Sequence, residues 1–146
     1  MKTKWKLVLA LAVTVLWLWF IYSRSLSDGD ASHDESSAVL EWLRRYLPFV
    51  TMTMVRKAAH VFEFGVLGVL LYLDWRLLGR SAALVPLGAG LVFAAADEFL
   101  QTFVPARSGE VLDVLIDLCG VAAGVGAGLL LRKWKEGRGR GEGRNA

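Results

Sequence analysis

Four long apolar stretches, separated by polar connections, constrain this 146-residue chain more than any other feature. They cover residues 7–22, 55–73, 82–99 and 111–131, and each is about long enough to cross a hydrocarbon core of roughly 30 Å as a helix. Lipid offers no partner to backbone N–H and C=O groups, so spans of this length read as α-helices that satisfy themselves. A soluble domain would spread its apolar residues at helix or strand spacing, whereas here the charges are pushed into the gaps. The expected fold is all-α, an integral membrane four-helix bundle, with little chain left for a second, soluble domain.

The connections divide the chain further. Lys2, Lys4 and Lys6 precede the first stretch as in a signal peptide, but Ser23-Arg24-Ser25 offers no small-x-small cleavage site, so residues 1–22 read as an uncleaved anchor helix. Residues 23–54 form a polar, mostly acidic connection, with a flexible loop expected at Ser27-Asp28-Gly29-Asp30. Within it, residues 39–49 place Leu40, Leu43 and Leu47 at helical spacing beside Arg44 and Arg45, which predicts a short interfacial amphipathic helix. Residues 55–131 make a three-helix core, and the Arg/Gly-rich residues 132–146 read as a disordered tail. The lone Cys119 excludes an internal disulfide and reads as a small buried packing residue. His33, in the acidic connection, carries no expected role.

A net charge of +3 and a pI near 9.2 would suit a nucleic-acid binder, but the basic residues are placed for a different reason. Eleven of the 17 Lys and Arg lie at the termini or between the second and third stretches: Lys2, Lys4, Lys6, Arg76, Arg80, Arg132, Lys133, Lys135, Arg138, Arg140 and Arg144. The other side holds Arg24, Arg44, Arg45, Arg56, Lys57 and Arg107. The positive-inside rule then predicts both termini in the cytoplasm of a multi-pass cell-membrane protein, with no nucleic-acid partner.

That topology gathers the unusual polar residues on the extracytoplasmic side. At about 100° per residue, Arg56, His60 and Glu63 fall within about 60° of one another on the second stretch. Asp97 and Gln101 sit one turn apart at the end of the third, beside Glu98, and Asp113 and Asp117 one turn apart at the start of the fourth. Gly120, Gly124 and Gly128 continue the aspartate face, and small residues at this spacing let membrane helices approach closely. The carboxylates should therefore point into the bundle, while the same glycine face offers a seam for a homo-oligomer. A charge at a membrane helix centre costs about 2.5–3.5 kcal/mol on insertion scales, so these groups need partners. Arg56, Lys57 and Arg107 face Glu63, Asp97, Glu98, Glu110, Asp113 and Asp117, so carboxylates exceed cations. The residue types leave three readings open: a buried ion-pair network that fixes packing, a binding or catalytic site, and a divalent cation held by His60 and carboxylates. The spacing matches no specific metal motif, so the cation is an open alternative and not the expectation.

The three motifs in order are Arg56-Lys57-x-x-His60-x-x-Glu63-Phe64, Asp97-Glu98-x-x-Gln101-x-Phe103-x-Pro105-x-Arg107 and Asp113-x-x-x-Asp117-x-x-Gly120. Together they resemble the signature of the VanZ-like family, small membrane proteins named for one linked to teicoplanin resistance. The resemblance spans about residues 40–131. It departs at Ala106, where the family often has Gly. It implies the four-helix membrane architecture and marks all ten polar motif residues, without supplying a reaction.

The expectation from residues and resemblance together is an extracytoplasmic polar site that binds or acts on a cell-envelope lipid or glycopeptide, with an effect on teicoplanin susceptibility. His60, Glu63, Asp97 and Asp117 are the candidates for acid–base or catalytic work. Arg56, Lys57, Glu98, Gln101, Arg107 and Asp113 are the candidates for binding a ligand. The alternatives are a membrane enzyme of lipid-linked phosphate or head-group chemistry, and a non-catalytic packing or assembly protein.

Overall fold

Each apolar stretch folds into a helix that stops where the sequence supplies a reason. The computed structural model describes residues 2–26, 29–105 and 109–142, with side chains described at 4–26, 37–105, 109–134, 136 and 138. The elements are α1 (Lys2–Ser25), α2 (Gly29–Arg44), α3 (Met52–Leu77), α4 (Leu84–Gln101) and α5 (Val111–Glu142), with no strand among the described residues. Four spans are long and apolar enough to cross a membrane: Lys4–Ser25, Met52–Leu77, Leu84–Gln101 and Val111–Trp134. The chain is an all-α, multi-pass membrane protein, as its apolar stretches predict. Large apolar side chains such as Val8, Leu16, Phe62, Leu84, Val92 and Leu130 are exposed on the flanks, which suits contact with acyl chains.

The helix ends fix what meets what. Thr51 caps α3, its side chain accepting from the Met54 N–H at 3.3 Å. At the other end, Gly79 adopts φ 75°, a left-handed conformation that lets the chain turn toward α4. Glu98 on α4 accepts the Glu110 N–H at 2.9 Å and so satisfies a donor at the entry to α5.

Helices α3 and α5 run parallel and form the closest seam. Gly120 backs onto the Val61 carbonyl and Gly65, Gly124 onto the Gly65 carbonyl and Val69, and Gly128 onto the Tyr72 ring. A β-carbon at any of these glycines would collide with its neighbour, so their absence of a side chain is what permits the approach. The glycine face expected as a homo-oligomer seam is thus occupied by α3 of the same chain.

Helix α1 runs antiparallel to α3 and belongs to the bundle instead of standing beside it as a plain anchor. Ile21 is fully buried with Phe64, Leu67, Tyr72, Ala94, Val121 and Val125. The Thr14 hydroxyl donates to Asp74 Oδ2 at 2.7 Å, and the Tyr22 hydroxyl to the Phe93 carbonyl at 3.2 Å.

Four local expectations need correction. The helix expected over residues 39–49 spans Gly29–Arg44 instead, and Leu43 accepts the turn N–H groups of Tyr46 and Leu47 beyond its end. No proline or glycine interrupts residues 30–44, so the helix extends back through the acidic stretch. Gly29 and Asp30 of the expected loop are its first residues, while Ser27 and Asp28 lie outside the described residues. The basic tail continues α5 as far as Glu142, with an Arg132–Glu136 pair at 3.0 Å and Arg138 over the Trp134 ring at 4.3 Å; residues 143–146 lie outside the described residues. Cys119 is exposed, because it sits two residues past Asp117, about 200° around α5 from the face that packs.

Candidate functional site

The antiparallel order of the spans brings the C-terminal ends of α1 and α4 to the same end of the bundle as the N-terminal ends of α3 and α5. The polar residues of the three motifs meet there in two layers.

The deeper layer centres on His60, about 12 Å along α3 from its start. Its Nδ1 lies 3.5 Å from Asp117 Oδ1 on α5 and 4.0 Å from Asp97 Oδ2 on α4. Asp97 is fully buried, and its Oδ2 accepts from Ser25 Oγ at 2.9 Å and Gln101 Nε2 at 3.0 Å. Its Oδ1 has no hydrogen-bond partner among the described residues. Asp117 is 1% exposed, and neither of its carboxylate oxygens has a partner of hydrogen-bonding geometry among the described residues. Glu63, one helical turn past His60, turns aside to pair with Arg24 Nε of α1 at 3.2 Å.

The outer layer forms the rim of a cleft of about 240 Å³ between α3, α4 and α5. Lys57 pairs with Asp113 across the α3–α5 mouth. Glu98 is buried against the start of α5 by its bond to Glu110. Arg56 is half-buried, lines the cleft, and has no carboxylate partner among the described residues. The cleft floor is made by His60, Gln101 and Asp117.

Nine of the ten expected site residues therefore gather at one end of the bundle, but with distinct tasks. His60, Asp97 and Asp117 share a centre and Gln101 orients Asp97, while Glu63 is tied up by Arg24. Glu98 helps hold α4 to α5, and Arg56, Lys57 and Asp113 surround the opening. Arg107 lies outside the described residues. Arg24 and Ser25 join the site without belonging to any of the three motifs. The signal for them is their place at the polar end of an otherwise apolar stretch.

Chemically, the floor can hold a proton between an imidazole and either of two carboxylates, and the rim can receive an anion. One ligand atom from each of His60, Asp97 and Asp117 lies within 4.8 Å of the others, so this trio could hold a metal ion. A family model described as VanZ/LLP1 matches residues 10–132. Neither the curated proteins nor the solved structures contain a match to the chain.

Proposed function

The chain belongs to the VanZ/LLP1 family over most of its length, and from that premise we propose that its cleft binds the anionic head group of a cell-envelope lipid at the extracytoplasmic face. The observation that carries the reading is Arg56. Among the described residues of the site, Arg24 and Lys57 are matched to carboxylates, whereas the Arg56 guanidinium lines the cleft without one. A planar guanidinium at the mouth of a membrane-embedded cleft is suited to a phosphate or carboxylate presented at head-group depth. The extracytoplasmic side follows from the excess of Lys and Arg at the termini and between α3 and α4.

A lipid-linked glycopeptide precursor carries the same anionic group, which connects the reading to an effect on teicoplanin susceptibility. Chemistry on that group is a second reading, favoured by the half-buried His60 between two carboxylates. Native mass spectrometry of the chain in nanodiscs, with and without phosphatidylglycerol, tests the binding step. Wild type should retain the anionic lipid, and Arg56→Gln should retain at least about tenfold less, the loss of one charge-assisted contact of roughly 1.5–3 kcal/mol. Equal retention by the two proteins would refute the proposal. Reduced teicoplanin susceptibility on expression, lost in the same variant, would extend it to the glycopeptide.

A further inference from the structure

We propose that His60, Asp97 and Asp117 form a divalent-cation site at the floor of the cleft. The donors come from three different helices and converge, with one ligand atom of each within 4.8 Å of the others. A cation with bonds of about 2.1 Å keeps its ligands about 3.0–3.5 Å apart. The His60–Asp117 pair, at 3.5 Å, already has that separation, and the His60–Asp97 pair at 4.0 Å is close to it.

A second observation is independent of this spacing. Both oxygens of Asp117, 1% exposed, and Oδ1 of the fully buried Asp97 have no hydrogen-bond partner among the described residues. Buried carboxylate oxygens are costly to leave unmatched. A protonated His60 would balance one of the two negative charges and direct its Nδ1–H at one oxygen only. A divalent cation balances both and uses the neutral imidazole nitrogen as a donor.

The surroundings are arranged as metal sites are. Ser25 and Gln101 fix the Asp97 carboxylate through Oδ2, the oxygen 4.0 Å from His60 Nδ1, while Oδ1 has no hydrogen-bond partner among the described residues. His60 and Asp117 also line the cleft, so the coordination positions beyond three face its interior, where water or an anionic oxygen fits. One imidazole with two carboxylates suits Zn²⁺ or Mn²⁺ over Ca²⁺ or Mg²⁺, which favour all-oxygen shells.

The test uses the full chain with a tag free of histidine, in neutral detergent without anionic lipid, so that its outcome is read separately from head-group binding. After chelation and passage over a desalting column, elemental analysis following Zn²⁺ or Mn²⁺ loading should give one ion per chain. A tenfold excess of Mg²⁺ or Ca²⁺ should leave that ion in place. His60→Gln and Asp117→Asn should each lower the bound metal at least tenfold with helical circular dichroism unchanged. Asp74→Asn, at a buried carboxylate toward the far end of α3, should keep it. Mn²⁺-loaded wild type should also show a directly coordinated nitrogen by electron spin-echo spectroscopy, a measurement that does not depend on any variant folding. No stoichiometric metal, no coordinated nitrogen, or equal metal in His60→Gln, Asp117→Asn and wild type would each overturn the site. So would equal loss in Asp74→Asn, which would assign the effect to general packing.

Discussion

Replacing Gly120 by alanine adds one carbon to the close part of the α3–α5 seam, three residues past Asp117. An ideal β-carbon there falls 2.5 Å from the Val61 carbonyl oxygen and 3.2 Å from the Gly65 nitrogen. Both are backbone atoms, so no side chain can rotate away. Carbon and oxygen in ordinary contact stand about 3.5 Å apart, which forces the helices to separate by about 1 Å. Overpacking of this kind costs about 1–3 kcal/mol, offset by at most about 1 kcal/mol from replacing a helical glycine. The expected net loss is about 0–2 kcal/mol against wild type and about 1–3 kcal/mol against an unobstructed Gly→Ala change. Val61 adjoins His60, so the separation also widens the 3.5 Å gap between His60 and Asp117. Equilibrium unfolding in mixed micelles with graded SDS measures the stability, with Gly88→Ala as the reference because its β-carbon meets nothing within 4 Å. Gly88→Ala should match or exceed wild type. If Gly120→Ala is as stable as Gly88→Ala, the seam is not held by backbone approach and the reasoning fails.

Three further outcomes are expected. Arg24→Gln leaves Glu63 buried beside a neutral partner and should cost about 1–3 kcal/mol, below the full value for a buried pair because the Arg24 side chain is 38% exposed. In the same unfolding assay Glu63→Gln should recover part of that loss, and additive losses would refute the pairing. Thr14→Val removes the hydroxyl that donates to Asp74 Oδ2 and should cost about 1–3 kcal/mol, so an unchanged midpoint would show that this bond contributes nothing. With Cys119→Ser as background, Ala38→Cys at an exposed position of α2 should react with a membrane-impermeant maleimide in intact cells. Labelling only after lysis would invert the proposed orientation.

Much of this arrangement is legible in the residues. The four apolar stretches and the turn-spaced polar positions on α3, α4 and α5 carry both the bundle and the meeting of His60 with Asp97 and Asp117. Helical periodicity does not say which helix lies opposite which, and so it leaves Arg24 and Ser25 unassigned: α1 reads as a uniformly apolar anchor until Ile21 is seen among the core residues. The same gap explains Glu63, whose stripe position suits the His60 centre but whose side chain meets the Arg24 guanidinium first. The glycine spacing announces a close helix contact without naming the partner, and α3 takes the place expected for a second copy. Cys119 reads as buried from sequence because a uniformly apolar block hides the difference between a face toward lipid and a face toward protein.

The proposed head-group site depends on direct contact between Arg56 and the anionic group. Solid-state NMR of ¹⁵N-arginine-labelled chain in phosphatidylglycerol-containing bilayers measures this directly, through dephasing of guanidinium nitrogen by lipid ³¹P. Wild type should show a component at direct-contact distance that is reduced in Arg56→Gln. Identical dephasing in the two proteins would rule out that contact.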